Sequence, residues 1–345
     1  MKKKYYDSVD ILKLVLMACM ILSGYIIQGR VGYYVSYLVC FAGGAFFTLY
    51  GYFMLYDIEN DDSRLKLSIR RLLITFIICA LVYFTLVALE MGFESKEIGE
   101  LFTKRFIFNF LVFNYWVPSI GFNIFYIHAA LYAAVICYLA NKLHLMRYSL
   151  PVMVILFLFA TVFGEGAKLI NFNVLDYTFI PGTFLTRALP YMLLGRVLHA
   201  YKSSRVFSGL KNWVWIVVFV VGVMLSFLEI VGLSVYEKAV YLNHLVGFIP
   251  MTAAVCVLAL RSKRTFRYAR YCKDIYSAMF YIYTIIGETV YAIIVLKHQE
   301  VMWLIPYLGF LTLGLSFIAG VLYTGFKYLI NRSSGRRGKM HEVKV

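Results

Sequence analysis

Charge and proline are what this chain has least of. Only 15% of its 345 residues are Asp, Glu, Lys or Arg, and there are six prolines. A soluble globular chain is about 25% charged, so a water-facing surface around a packed core is excluded for most of the length. The six cysteines (Cys19, Cys40, Cys79, Cys137, Cys256, Cys272) lie in or beside apolar runs, none in CxxC spacing. They read as small apolar fillers and suggest neither disulfides nor zinc. GxSxG, a P-loop, HExxH and any cluster of metal ligands are also missing. No metal is expected, and the absence of an ATP-binding motif argues against a primary pump. The stretches between apolar runs are too short to bury a core of their own.

What the chain does have is apolar and aromatic: 62% hydrophobic and 18% aromatic residues, with 29 Tyr and 29 Phe. Aromatic rings are enriched where helices meet the bilayer interface. Runs of about 20 apolar residues read as spans near 8–28, 33–56, 71–90, 121–141, 147–164, 182–201, 212–234, 238–260, 275–296 and 302–330. The fold expected is all-α, a polytopic transmembrane helical bundle of about ten spans. A shorter apolar segment at 105–117 would pack on the bundle or lie at the interface. The apolar run after the basic leader lacks a small-x-small cleavage site, so the first helix reads as retained.

The formal charge of +16 raises the question of nucleic acid, and its distribution answers it. With those spans, 24 Lys and Arg fall on the side that holds the N-terminus and 7 on the other. That is the positive-inside bias, so both termini are expected in the cytoplasm, and the charge reports topology and contact with anionic lipid. Nucleic acid is not required. Residues 1–330 form the expected membrane domain of a multi-pass protein of the cell membrane, and 331–345 a disordered basic tail.

Small residues mark close helix contacts. Gly43, Gly44 and Gly51 fall on one face, as do Gly314 and Gly320, and packing is the reading for both sets. No inverted repeat of the transporter kind is visible. Pro190, Pro250 and Pro306 are the only prolines well inside spans, so half-helix breaks are sparse and an unrelated small-molecule transporter is disfavoured.

Ionisable groups at membrane depth are costly and face a cavity or a partner. Asp10 and Lys13 share one face of the first helix. They read either as a snorkelling interfacial pair or as a cation held by Asp10 for an anionic substrate. In "DDSRLKLSIRRLLITF", Arg64, Lys66, Arg70 and Arg71 precede the third span. Positive-inside anchoring explains this cluster; yet consecutive helical residues point about 100° apart, so one of Arg70 and Arg71 is expected to turn inward, where it can grip phosphate. His128 is a core histidine or a catalytic one. Arg187, Glu229, His244 and Glu288 line an outward-facing cleft or each reach the interface.

Six segments in order resemble the integral-membrane acyltransferase-3 family of bacterial O-acyltransferases: "VDILKLVLMACMILSGY", "AFFTLYGYFML", "RLKLSIRRLLITF", "NIFYIHAALY", "TFLTRALPYMLLGRVL" and "YCKDIYSAMFYIYTII". The resemblance implies transfer of an acyl group, usually acetyl, from acyl-CoA to a hydroxyl of a cell-envelope glycan or lipid-linked saccharide. Such chemistry needs a base for the hydroxyl proton and cations for the CoA phosphates and oxyanion. It implies Lys13, Arg70 and Arg71 for acyl-CoA, and Asp10, Arg187, His244 and Glu288 for the acceptor. The family's helix-one histidine, eleven residues past the basic residue, is Gly24 here. The serine before Gly51 is Tyr50, Leu67 or Ser68 interrupts the Arg-x-x-Arg spacing, and the histidine of the ninth helix is replaced at Tyr283 and Thr284. His128 is then the in-span candidate for the base. The alternative is a catalytically inactive relative that serves exopolysaccharide export or assembly.

Overall fold

The computed structural model describes residues 6–25, 30–91, 103–104, 108, 110, 122–163, 183–204, 209–235, 245–296 and 302–333. The short apolar segment at 105–117 lies outside them but for two residues, as does all but the start of the basic tail. Eleven α-helices and no strand occur among the described residues. They are α1 (Asp7–Gly24), α2 (Arg30–Leu38), α3 (Phe41–Met54), α4 (Ser63–Met91), α5 (Phe122–Lys142) and α6 (Ser149–Phe163). Then follow α7 (Leu189–Tyr201), α8 (Asn212–Val235), α9 (Phe248–Arg261), α10 (Ala269–Leu296) and α11 (Leu308–Ser333). Among the described residues, six stretches are long and apolar enough to cross a membrane: Gly32–Met54, Ile124–Lys142, Leu145–Phe163, Asn212–Gly232, Ala269–Ile294 and Met302–Asn331. The other four expected spans are helical too, on α1, α4, α7 and α9.

Apolar side chains stand exposed along several of these helices, among them Ile216, Val220, Met224 and Leu228 of α8 and Leu322 and Phe326 of α11. Apolar surface of this extent on a water-soluble monomer would drive association, whereas hydrocarbon covers it without cost. This fits an integral membrane protein.

The prolines sit where a helix can accept them. Pro151 and Pro250 are the third residues of α6 and α9, and Pro190 is the second of α7. For Pro151 and Pro250, first-turn amides have no carbonyl to bond within their own α-helix, so a missing N–H costs little there. Pro190 instead follows directly on a π-helical turn, Phe184–Ala188. Pro306 lies in a 3₁₀ turn, Met302–Tyr307, that leads into α11.

The chain divides into two compact units, residues 1–39 with 259–345, and residues 40–258. In the first, α1 packs on α10 and α11, which pack on each other. Leu16, Met17, Met20 and Ile21 form the buried stripe of α1. A Cβ on Gly320 would meet the Ile275 carbonyl at 3.0 Å, whereas Gly314 has nothing within 4 Å. So of that glycine pair only Gly320 serves the contact. Asp7 accepts the Phe266 amide at 2.7 Å, and Lys327 pairs with Asp274 at 2.7 Å.

In the second unit α3 and α7 cross at backbone contact. A Cβ on Gly51 would overlap the Met192 carbonyl, and one on Gly195 the Thr48 carbonyl. Gly44 lies under the Tyr191 ring and Gly43 under Tyr126, so the glycines of α3 are packing positions as read from the sequence. The loop after α3 is tied down from three helices. Arg196 donates to the Leu55 carbonyl at 3.0 Å, to Ser149 at 3.3 Å and to Glu59 at 2.6 Å. Asn141 donates to the Ile58 carbonyl at 2.8 Å. Asp62 pairs with Lys66 at 2.9 Å and Lys142 at 3.2 Å.

Candidate functional site

In the first unit, α1 presents Asp10 and Lys13 one turn apart towards α10. Asp10 is buried, Lys13 is half-buried, and the Lys13 ammonium lies 5.6 Å from the centre of the Tyr276 ring. Burial of a cation this far in is tolerable because a carboxylate and a ring face share its field. The pair is held by packing against α10, with Asp10 the more deeply buried of the two. Nothing in the sequence singled out Tyr276 as its partner. At the opposite end of α1, Tyr25 lies against Gly287 of α10, beside Glu288. Tyr283 and Thr284 are buried in the same helix. Among the described residues, a Cβ at Gly24 would have nothing within 4 Å.

In the second unit the π-helical turn Phe184–Ala188 positions Arg187. Pro190 removes the donor that would bond the Thr186 carbonyl, and the turn before it widens accordingly. Thr183 and Thr186 are buried, and their hydroxyls lie 3.3 Å apart. The Arg187 guanidinium donates to the Tyr126 hydroxyl at 2.9 Å and lies 5.6 Å from the Phe125 ring centre. Wide π turns of this kind recur at functional sites.

His128 is 1% exposed. Its ring stands 4.7 Å from Phe76, 4.8 Å from Phe110 and 4.4 Å from Tyr132. Tyr132 in turn meets Phe184 of the π turn at 5.1 Å. The imidazole is one wall of an aromatic cluster, which is the core reading of this residue.

The basic entrance to α4 is partly neutralised. Lys66 holds the Asp62 carboxyl below its usual value, with help from Lys142, and Asp62 raises Lys66 in return. A hydrogen bond from Ser63 lowers Asp61. Arg64 lies over the Tyr56 ring at 4.9 Å. Arg70 and Arg71 are both exposed, so neither turns inward as expected. Ring contacts of α4 with α5 are made by Phe76 with His128 and by Lys66 with Tyr138. Neither arginine makes an ion pair among the described residues.

Glu229 has a different task from lining a cleft. It accepts the amides of Val246 at 3.1 Å and Gly247 at 3.3 Å, the two residues that lead into α9. A carboxylate there satisfies orphan amides and faces the positive end of the helix dipole. His244 lies outside the described residues. The sequence-derived site residues therefore fall into separate groups: Asp10, Lys13 and Glu288 in the first unit, and Arg70, Arg71, His128 and Arg187 in the second. All six cysteines are free thiols. No family model, curated protein or solved structure matches the chain.

Proposed function

We propose that the chain is a ten-span protein of the cell membrane with both termini in the cytoplasm, of acyltransferase-3-like architecture. It transfers an acyl group, acetyl, from acyl-CoA to a hydroxyl of an envelope glycan or lipid-linked saccharide. The observation that carries the proposal is Lys13, a cation held half-buried between Asp10 and the Tyr276 ring. A fixed cation at a helix entrance costs free energy that an anionic substrate offsets when it binds. Arg70 and Arg71, exposed outside the span, add a second attraction for CoA phosphates and for anionic lipid. Arg187 at the π turn suits a polar or anionic group of the glycan.

A second reading has its own observation. His128 is enclosed by three rings and Gly24 carries no side chain, which favours a chain without a base at either position. A chain with the cation and without that base would escort an exopolysaccharide intermediate rather than acylate it. Labelled acetyl-CoA given to the purified protein with envelope polysaccharide separates the two. Transfer by the wild type, weakened by Lys13→Ala, supports the enzyme. Transfer seen only with Gly24→His supports the escort. Binding of acetyl-CoA unaffected by Lys13→Ala would sink the role given to the cation.

A further inference from the structure

Hydroxyls in the first unit fall into two kinds. Ser277, Thr289 and Thr324 each donate to the carbonyl one turn back in their own helix. Thr284, Thr312 and Ser316 do not. Each is no more than 2% exposed, and none of the three hydroxyls has a hydrogen-bond partner. The hydroxyl of Tyr25 is buried without a partner as well. Leaving such groups unsatisfied in apolar surroundings is costly, and in a helix the remedy of back-bonding is always within reach. Their side chains are turned to something other than their own backbone.

Two of these hydroxyls belong to the helix pair that carries an acid, Glu288. Tyr25 follows directly on Gly24, the position where the helix-one base is expected. Its hydroxyl rests on Gly287, where a Cβ would collide with it, and the Glu288 carboxylate is within electrostatic reach. Only glycine at 287 lets the phenol come so close to α10. Thr284 lies one turn before Glu288, on the same face of α10. Glu288 itself is half-buried, and the space beside Gly24 is open.

Resting on the acyl-transfer reading above, we propose that Tyr25, Thr284 and Glu288 form the acceptor site and that Glu288 is its base. The sugar hydroxyl bonds to the Tyr25 and Thr284 hydroxyls and gives its proton to the Glu288 carboxylate. Its oxygen attacks the thioester carbonyl carbon. The new C–O bond forms, the C–S bond breaks, and CoA leaves as a thiolate that takes the proton from Glu288 and departs as free thiol. Lys13 and Tyr25 are twelve residues apart on α1, about 18 Å at the helical rise. An extended acyl-pantetheine arm anchored by its phosphates at Lys13 covers that distance. The base thus sits one residue along from where the resemblance expects it, on the facing helix, and His128 is left to the core.

The test uses membranes that carry the full chain, labelled acetyl-CoA and envelope polysaccharide from the same cells, with released CoA thiol measured alongside transfer. The wild-type rate is expected to rise with pH through one ionisation. Glu288→Gln should lower kcat by roughly 10²–10⁴-fold, the usual contribution of a general base, and flatten that rise, while KM for acetyl-CoA stays unchanged. Lys13→Ala should do the reverse and raise KM for acetyl-CoA. Tyr25→Phe and Thr284→Val should raise KM for the polysaccharide. If Glu288→Gln keeps the wild-type rate and pH profile while Lys13→Ala is impaired, the base assignment fails and the parent reading stands. Absence of transfer by the wild type removes both. Should Glu288→Gln not fold, Glu288→Asp decides: a slower enzyme with a displaced pH profile supports the assignment, and an unchanged profile overturns it.

Discussion

Arg196 gives its guanidinium to three places at once: the last carbonyl turn of α3, the first residue of α6 and Glu59 in the loop between. Its side chain is 13% exposed and that of Glu59 is 54% exposed, so the three contacts are unequal. An exposed ion pair is worth about 0–1 kcal/mol, whereas a buried hydrogen bond from a charged donor is worth about 1.5–3 kcal/mol. Arg196→Ala should therefore cost about 2 kcal/mol in unfolding free energy in detergent, and Glu59→Gln much less. Arg196→Lys should recover only part, because a point charge cannot serve three directions. Asp62 makes a prediction in pH. Lys66 holds its carboxyl below the usual 3.8, so its contribution is present above that value and is lost as pH falls through the lower folded one. Asp62→Asn should lower the thermal midpoint at pH 7, and the difference from wild type should shrink as pH falls below 3.8 and vanish where the carboxyl is protonated in the folded state too. A difference that persisted there would show that the lysine pairs are not what Asp62 contributes.

At the scale of elements, the apolar runs and small residues of the sequence were informative because both follow directly from lipid contact and backbone approach. Six stretches among the described residues are long and apolar enough to span, and Gly43, Gly44 and Gly51 are packed as read. What the sequence did not disclose are features set by partners far along the chain. The second apolar stretch turns at Val39 and Cys40 with no glycine or proline to signal it. The π turn before Pro190 carries no sequence signature of its own beyond the proline that follows it. Glu229 looked like a cleft residue because its partners, two backbone amides seventeen and eighteen residues later, carry no sequence signature. Arg70 and Arg71 were misjudged because adjacency fixes their angle to each other, not the face of α4 that α5 covers. The α3–α7 crossing supplies the test at this scale. Gly51→Ala or Gly195→Ala forces a methyl into facing backbone and should cost about 1–3 kcal/mol or more. Gly325→Ala, with nothing within 4 Å, should be neutral or slightly stabilising in the same thermal unfolding measurement.

For the whole molecule, the distribution of Lys and Arg gives the strongest prediction. Ten spans or six, the number is even, so both counts leave the two ends on one side of the bilayer. With the ten expected spans, the 24-to-7 excess predicts that this side faces the cytoplasm. Single-cysteine variants in an otherwise cysteine-free chain test this with a thiol reagent that cannot cross the membrane. Cysteine at Lys297 should react in intact cells, and cysteine at Ser63 only after the cells are opened. Reaction at Ser63 in intact cells would invert the topology and separate Lys13 from cytoplasmic acyl-CoA. All-helical architecture and membrane class were legible from composition alone. The grouping of candidate residues was not, since Asp10 and Glu288 are far apart in sequence and only the packing of α1 on α10 places both along one helix pair.

The crossing of α3 with α7 limits how the second unit can work. Two main chains pressed together without side chains between them have no rotamers to exchange, so the pair can tilt as a single beam but cannot part and reseal. Any breathing that admits a bulky guest must then come from the longer-sided seams, where rings such as those around His128 can swing. A disulfide staple between α3 and α7 should leave turnover intact, while one that clamps α4 to α5 should arrest it.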